Sequence, residues 1–398
     1  MYLIRSPVAC ALLALSALEG CGSERSRLAV ATIDTLPNGA PSVMSPGPTA
    51  WADTASGWHL VPAGTVAGET GTPGELIDPQ SIAVDAAGRI YVTDSKPAVI
   101  KVFGPDGRFL HAIGREGEGP GEFKAAYLAV RGSSLVVHDP RLARTSVFDT
   151  SGALVRSWKT SCCYYSSIGI DTAGRISIVT MATPEQKRYA NYVRYTLDGT
   201  FVDTIFVPQA GEPKYWTVRQ GKNMMMSMPT PASPQTESTL DPLGGVLYGY
   251  SADYRIVASR TGRDTAAVFG RAWSAEPISG EWRHATVERM VSSIGKDYPA
   301  ASLRESFRED EIPGTFPAFD GIAVDGLGNR WVRRAGADSL HTAFDVFDAG
   351  GRFLGPVVAP RNIPAYNIAW TDDAVYFTSE SEEGTPAVAR YRIEKGRR

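Results

Sequence analysis

Residues 67–123 read AGETGTPGELIDPQSIAVDAAGRIYVTDSKPAVIKVFGPDGRFLHAIGREGEGPGEF, and this stretch decides the fold. A Gly-rich loop leads into four short apolar runs, at 81–85, 89–93, 99–103 and 109–113, and then into a second copy of the loop. Each run has the length of a typical strand. The spacers Asp85-Ala-Ala-Gly88, Asp94-Ser-Lys-Pro97 and Gly104-Pro-Asp-Gly107 are built from residues that favour tight turns. Runs of Val, Ile, Tyr and Phe punctuated in this way predict a four-stranded antiparallel meander, and the density of breakers excludes a helix. Four strands in every ~40–45 residues are the signature of a propeller blade.

Working outward, the segment at 82–92 recurs at 168–178 and 322–332, with degenerate copies at 128–137, 240–250 and 366–377, which makes six. The second hairpin recurs in the same register at 102–110, 147–155 and 346–354. Residues 58–66 form a lone strand before the first Gly-rich loop, whereas runs at 366–370, 374–378 and 387–393 supply three strands and then the chain runs out. Borrowing 58–66 as the fourth strand of that last blade closes the ring and removes an exposed sheet edge. The expected fold is all-β, a six-bladed propeller of four-stranded antiparallel blades over 58–398. Asp85, Asp171 and Asp325 open tight turns and Gly88, Gly174 and Gly328 supply positive φ, which accounts for them without a metal.

The stretch at 67–123 resembles an NHL repeat, and its loop GREGEGPGEF at 114–123 resembles the blade-joining loop of bacterial six-bladed propeller lipoproteins close to that family. The resemblance implies a protein whose blades form a scaffold for binding.

The N-terminus agrees with a lipoprotein. Arg5 precedes an apolar run at 8–18 that is long enough for a signal-peptide core and too short to span a bilayer. Leu18-Glu-Gly-Cys21 then resembles a lipobox, although Glu19 departs from the small residue usual there. The resemblance implies a signal peptide at 1–20, lipid on Cys21 and, with Gly22 following, no signal for retention in the inner membrane. The expected location is the bacterial cell envelope, on the periplasmic side of the outer membrane. Residues 21–57 read as a tether with a short hairpin around Asn38-Gly39, because the Pro/Ser/Gly-rich part has little apolar surface to bury.

The chain is 43% hydrophobic and 21% charged, with a net charge of −3, which gives no electrostatic reason to expect nucleic acid or an anionic membrane surface as partner. Of four cysteines only Cys162 and Cys163 lie in the mature body, so no disulfide framework is expected. They are adjacent, followed by Tyr164 and Tyr165, and a strained vicinal disulfide or a pair of free thiols would both suit the segment.

The repeat is broken twice, at 209–239 and at 271–318, and both breaks follow a fourth strand. All such connections share one face of a propeller, and insertions in repeat arrays tend to mark the binding face. The first break holds Met224, Met225, Met226 and Met228, which are flexible packing residues or, as a weaker alternative, a soft-metal site. The second carries Trp282, Val287, Met290, Val291 and Ile294 at helical spacing, then Leu303 and Phe307 beyond Pro299, which predicts a helical hairpin.

Three function classes compete. The first is a non-catalytic binding module that takes a protein, peptide or glycan on the insertion-bearing face and touches the membrane only through its lipid. It would use Arg115, Arg141, Arg144, Cys162, Cys163, Tyr164, Tyr165, Trp216 and Trp282, since arginines and aromatics anchor interfaces. Glu116 and Glu118 fit better as structural loop residues. The second is a hydrolase or lyase of the gluconolactonase-like or amidating-lyase kind. By resemblance the former would hold a divalent ion in the channel with carboxylates and amides and the latter zinc with histidines, but His59, His111, His138, His284 and His341 have no zinc-ligand spacing, and no nucleophile elbow is present. The third is a periplasmic soft-metal or redox handler using the methionines with Cys162 and Cys163. No catalytic residue and no cofactor are expected under the first reading.

Overall fold

A computed structural model describes residues 31–47, 51, 56–160, 167–181, 188–220, 223–295 and 298–396. It contains six radial sheets. Blade 1 is built from Pro79–Val84, Ile90–Ser95, Ala98–Phe103 and Phe109–Ile113, and blade 2 from Tyr127–Arg131, Ser134–Asp139, Arg144–Asp149 and Leu154–Lys159. Blade 3 comprises Ile168–Ile170, Ile176–Met181, Arg188–Tyr195 and Phe201–Pro208. Blade 4 comprises Thr236–Leu240, Val246–Tyr250, Arg255–Ser259 and Ala267–Arg271. Blade 5 comprises Gly321–Val324, Arg330–Arg333, Ala343–Phe347 and Phe353–Val358. Blade 6 takes Ile368–Trp370, Ala374–Glu380 and Pro386–Lys395 from the C-terminal segment and Trp58–Val66 from the N-terminal one. In that closure Trp58 pairs with Lys395, Leu60 with Ile393 and Val66 with Val388. First strands of neighbouring blades lie against one another and surround the axis.

The core sits between blades. Tyr91, Ile100 and Val102 of blade 1 pack on Leu128, Leu135 and Phe148 of blade 2, and Trp331 and Phe344 of blade 5 pack on Leu60, Val375 and Phe377 of blade 6. Each large apolar side chain buried in this way contributes about 1.5–3 kcal/mol. The turn aspartates behave as their spacing requires. Asp85 accepts the amides of Ala87 and Arg89 and the Nε of Arg89 at 2.7 Å, and Asp171 and Asp325 repeat the pattern with Arg175 and Asn329. Gly88, Gly174 and Gly328 close these turns at φ of 77°, 76° and 83°.

A hairpin stands around Asn38-Gly39, Thr32–Thr35 paired with Pro41–Ser45, and its second strand lies parallel to Ala267–Arg271, extending blade 4 to six strands, a docking that the sequence did not indicate. Val43 is 4% exposed there and packs on Phe269 and Tyr254. Blade 4 also begins at Thr236 rather than at 240, because its first strand is polar at Glu237, Ser238 and Thr239 and carries no apolar signal.

Candidate binding face

Both insertions emerge on the face where fourth strands end and first strands begin. The first contains a β-hairpin, Tyr215–Gln220 paired with Asn223–Pro229, with Trp216 opposite Met228 and Val218 opposite Met226. The second forms helix α1, Gly280–Ile294, and helix α2, Ala300–Ser306. Ser279 caps α1 by accepting the Trp282 amide at 3.1 Å, and α1 ends at Gly295. The two insertions share one core, in which Trp216, Val218, Val287, Val291, Leu303 and Phe307 are buried. Trp216 stacks on Phe307 with ring centroids 5.1 Å apart, and Trp282 meets Phe316 edge-on at 4.9 Å. The breaks in the repeat therefore build a single subdomain on one face.

This packing changes the role of several expected site residues. Trp216 is 1% exposed and serves the subdomain core, so its indole is not a surface anchor. Trp282 is half-buried against the same core, and Met226 and Met228 pack on it. The side chains of Met224 and Met225, and all of Cys162, Cys163, Tyr164 and Tyr165, lie outside the described residues, as does Cys21. The five histidines are scattered. His284 meets Glu309 and His341 meets Asp338, each at 2.9 Å, while His138 is fully buried and its pKa is lowered to about 4 by that burial. Among the described residues no group of three or more His, Cys, Asp or Glu is placed to hold a metal, and no helix is long and apolar enough to cross a membrane.

Arg115, Arg141 and Arg144 do come together, around the Gly-rich loop before blade 2. Arg115 binds Glu122 Oε1 at 2.6 Å, and the Glu122 Oε2 atom accepts the Gly119 amide at 2.8 Å. The Gly119 amide, then Arg115, hold the Glu122 carboxyl below the usual range. Arg144 donates to the carbonyls of Glu118 and Glu122, Lys124 pairs with Glu118, and Glu116 is exposed. Asp139, at the end of the second strand of blade 2, accepts the amides of Lys124, Arg141 and Leu142. Asp94 does the same in blade 1 for Ile77 and Asp78, with Lys101 at 2.8 Å. Arg144 is thus a strut of the loop, whereas the Arg141 side chain is exposed at its rim. Arg144→Ala is expected to cost about 1–3 kcal/mol, since hydrogen bonds to a charged donor are lost. Amide exchange at 117–123 should accelerate, and unchanged exchange there would show that the loop is held by other groups.

Sequence reasoning missed the residues at the channel mouth on this face. Glu237 stands in the first strand of blade 4, Asp320 precedes blade 5, and Arg333 ends the second strand of blade 5. Arg333 Nε binds Asp320 Oδ1 at 2.6 Å and its Nη2 donates to the Asp320 carbonyl at 3.3 Å. Burial, reinforced by the charge of Asp320 and opposed by Arg333, pushes Glu237 up to about 8. Asp320 is also raised by desolvation, opposed by Arg333, although 45% of its side chain remains accessible. The signal of Glu237 was hidden because 236–239 carries no apolar alternation to mark a strand.

Two hollows are associated with the insertions. An open cleft of about 700 Å³ lies between the insertions, lined by Lys214, Tyr215 and Thr230 on one side and Asp310, Glu311 and Ile312 on the other. A smaller cavity of about 110 Å³ is lined by Arg271, Trp273, Glu276, Phe316 and Arg334. The larger one has the size of a small-ligand pocket, with a mixed-charge lining and an aromatic ring, Tyr215, that is 52% exposed.

A six-bladed β-propeller bearing a two-part subdomain on one face is the class that this architecture defines. A family model for DUF5128, described as a 6-bladed beta-propeller, matches residues 69–127. Among solved structures, a protein described as exported, from Bacteroides fragilis, is similar at 13% identity and a TM-score of 0.50, covering 86% of this chain and 97% of that one. A member of the DUF4221 family from Bacteroides vulgatus is similar at 10% identity and a TM-score of 0.50, covering 86% and 100%. Virginiamycin B lyase from Staphylococcus aureus aligns at 11% identity and a TM-score of 0.40, covering 85% and 100%. The two alignments at a TM-score of 0.50 show a shared fold and nothing finer. No curated protein matches the chain.

Proposed function

We propose that this protein is an exported, lipid-anchored propeller that acts as a non-catalytic binding module through its insertion-bearing face. The observation that carries this reading is the fusion of the two insertions into one subdomain, which leaves the cleft of Lys214, Tyr215, Asp310 and Glu311 open between them. The Gly-rich loop with Arg141 at its rim opens on the same face. An exposed tyrosine ringed by charges of both signs suits a peptide or a glycan, because the ring supplies contact area and the charges fix orientation. The lipobox-like Cys21 supplies the anchor and the apolar run before it the export signal.

Photocross-linking in intact cells tests this. A photoreactive residue in place of Tyr215 should give a discrete adduct that Lys214→Glu weakens, while the same residue in place of Val155, exposed near the start of the fourth strand of blade 2 and away from the insertion face, should not. Cys21→Ser should release the protein from the membrane fraction without altering its unfolding midpoint. Equal labelling at 215 and 155 would sink the binding reading, and retention of the Cys21→Ser variant in the membrane would sink the anchor.

One observation favours the hydrolase or lyase reading as a second choice. Glu237, whose carboxyl is pushed up by burial and by the charge of Asp320, stands near the Asp320–Arg333 pair, an arrangement suited to acid–base work.

A further inference from the structure

The hairpin at 32–45 decides where the lipid tether leaves the disc. Fourth strands run toward the insertion face, so Trp58, the first residue of the fourth strand of blade 6, sits at the opposite face. A chain tethered through 21–57 would leave from there and reach about 130 Å when extended. It would impose no facing preference. The hairpin alters both properties. Pro41–Ser45 runs parallel to Ala267–Arg271, with Ser45 level with Arg271, so its end lies at the insertion face. Thr32–Thr35 runs back along it, with Thr32 level with Met44, so the chain reaches Ala31 at that same face. The Ala272 amide, at the start of the second insertion, donates to the Ser45 carbonyl at 2.8 Å.

The segment is held along its length. Ala31 and Val43 pack with Tyr254, Phe269 and Phe353, and Asn38 Nδ2 donates to the Thr265 carbonyl at 3.0 Å. Farther on, Trp51 Nε1 donates to the Pro356 carbonyl at 2.9 Å, and its ring lies over Gly355 and stacks on Trp58 at 6.1 Å. A Cβ at Gly355 would fall 2.1 Å from the Trp51 ring, so this seat requires a glycine. The N-terminal segment thus straps the outer edges of blades 4, 5 and 6.

We infer that the strap turns the insertion-bearing face toward the membrane. The inference rests on the lipid-anchor reading above. Nine residues lie between Cys21 and Ala31, so ten residue steps hold the exit point within about 36 Å of the lipid. The opposite face stands farther off by the height of a five-residue strand, about 17 Å. The cleft between the insertions is therefore presented to material at the bilayer surface. The second insertion does not carry an excess of basic residues, so that material is a membrane-attached ligand rather than the anionic headgroups themselves.

Energy transfer on the lipidated full-length protein tests the inference. A fluorescent amino acid is placed at the exposed Glu305 in α2, or at the exposed Leu243 in a turn of the opposite face, and the protein is bound to phosphatidylethanolamine–phosphatidylglycerol vesicles carrying a headgroup acceptor. Donor emission should fall more at 305 than at 243, and a long Gly-Ser insertion between Val30 and Ala31 should abolish the difference. Equal or reversed loss in the parent protein overturns the orientation, and so does a difference that survives the insertion. Failure to bind vesicles, with Cys21 unmodified by mass spectrometry, instead overturns the anchor and the orientation together. Vesicle binding by an unlipidated Cys21→Ser variant would show that headgroups themselves are the ligand and overturn the choice of partner.

Discussion

Asp345→Ala will lower the stability of the folded protein by about 3–5 kcal/mol, because it strands a buried guanidinium. Asp345 lies in the third strand of blade 5 and is 1% exposed. Its Oδ2 accepts Tyr254 Oη at 2.6 Å, Arg271 Nε at 2.8 Å and Arg271 Nη2 at 2.7 Å. Arg271 in turn lies between the rings of Tyr254 and Phe353, 4.9 and 5.6 Å from their centroids. Burial and then the Asp345 charge push the Tyr254 hydroxyl well above its ordinary pKa. The three groups join the fourth strand of blade 4 to blade 5 at the root of the second insertion. Replacing both ends, Arg271→Met with Asp345→Leu, should recover most of the loss, since a buried ion pair gains little over well-packed apolar groups. Urea unfolding of the two variants checks this. A loss below about 1 kcal/mol for Asp345→Ala would show that solvent reaches Arg271.

The sequence makes the ring legible because each blade repeats its punctuation. Asp85, Asp171 and Asp325 appear at the same place in the same motif, and the structure gives all three the same hydrogen bonds. Closure by 58–66 follows from a missing strand at the other end of the chain, a counting argument that needs no geometry. The insertions are harder to read. Trp216 and Val218 alternate toward one face as a strand should, but their partners are Met226 and Met228, and methionine carries little strand signal. The helical spacing at 282–294 was visible, whereas the fact that both insertions share a core depends on contacts far apart in sequence.

The site was legible only where it coincides with a repeat. The Gly-rich loop announces Arg115 and Arg144 by its glycines, yet the structure gives Arg144 a supporting role, because its donors meet two backbone carbonyls of the loop itself. Exposure of an aromatic cannot be read from its neighbours in sequence, which is why Trp216 looked like an anchor and lies in a core. Tyr215, one residue earlier, is the exposed one. The hairpin at 32–45 was legible from Asn38-Gly39, whereas its docking on blade 4 was not, because a polar segment gives no sign of the sheet edge it joins. It gains its place by adding to a sheet edge, where backbone groups provide the pairing and only Val43 and Met44 need apolar partners.

Glu237 will make the protein lose stability as the pH rises from about 5 to about 9, the reverse of what a paired carboxylate does. Its folded pKa is raised to about 8 from 4.5, so over that interval the folded state holds a proton that the unfolded chain has released. Stability therefore falls with pH across the window and the penalty is complete above 8. A shift of this size corresponds to a few kcal/mol, on the order of 1.4 per pH unit, trimmed by water at the channel mouth. Buried His138 works against it at the acid end. Its folded pKa is lowered from 6.5 to about 4, so its contribution rises with pH up to 6.5 and is constant beyond. Above pH 6.5 the descending limb belongs to Glu237. Glu237→Gln, which keeps the shape and removes the proton, should flatten that limb and exceed the parent in stability at pH 9. Thermal or urea unfolding between pH 6.5 and 9 reads both effects, and a limb that persists in the glutamine variant would place the titrating group elsewhere. The same variant separates two readings of the mouth. A binding module that uses the protonated carboxyl as a hydrogen-bond donor keeps its ligand when glutamine supplies an N–H in its place, whereas an acid–base catalyst loses turnover because the amide cannot give up a proton.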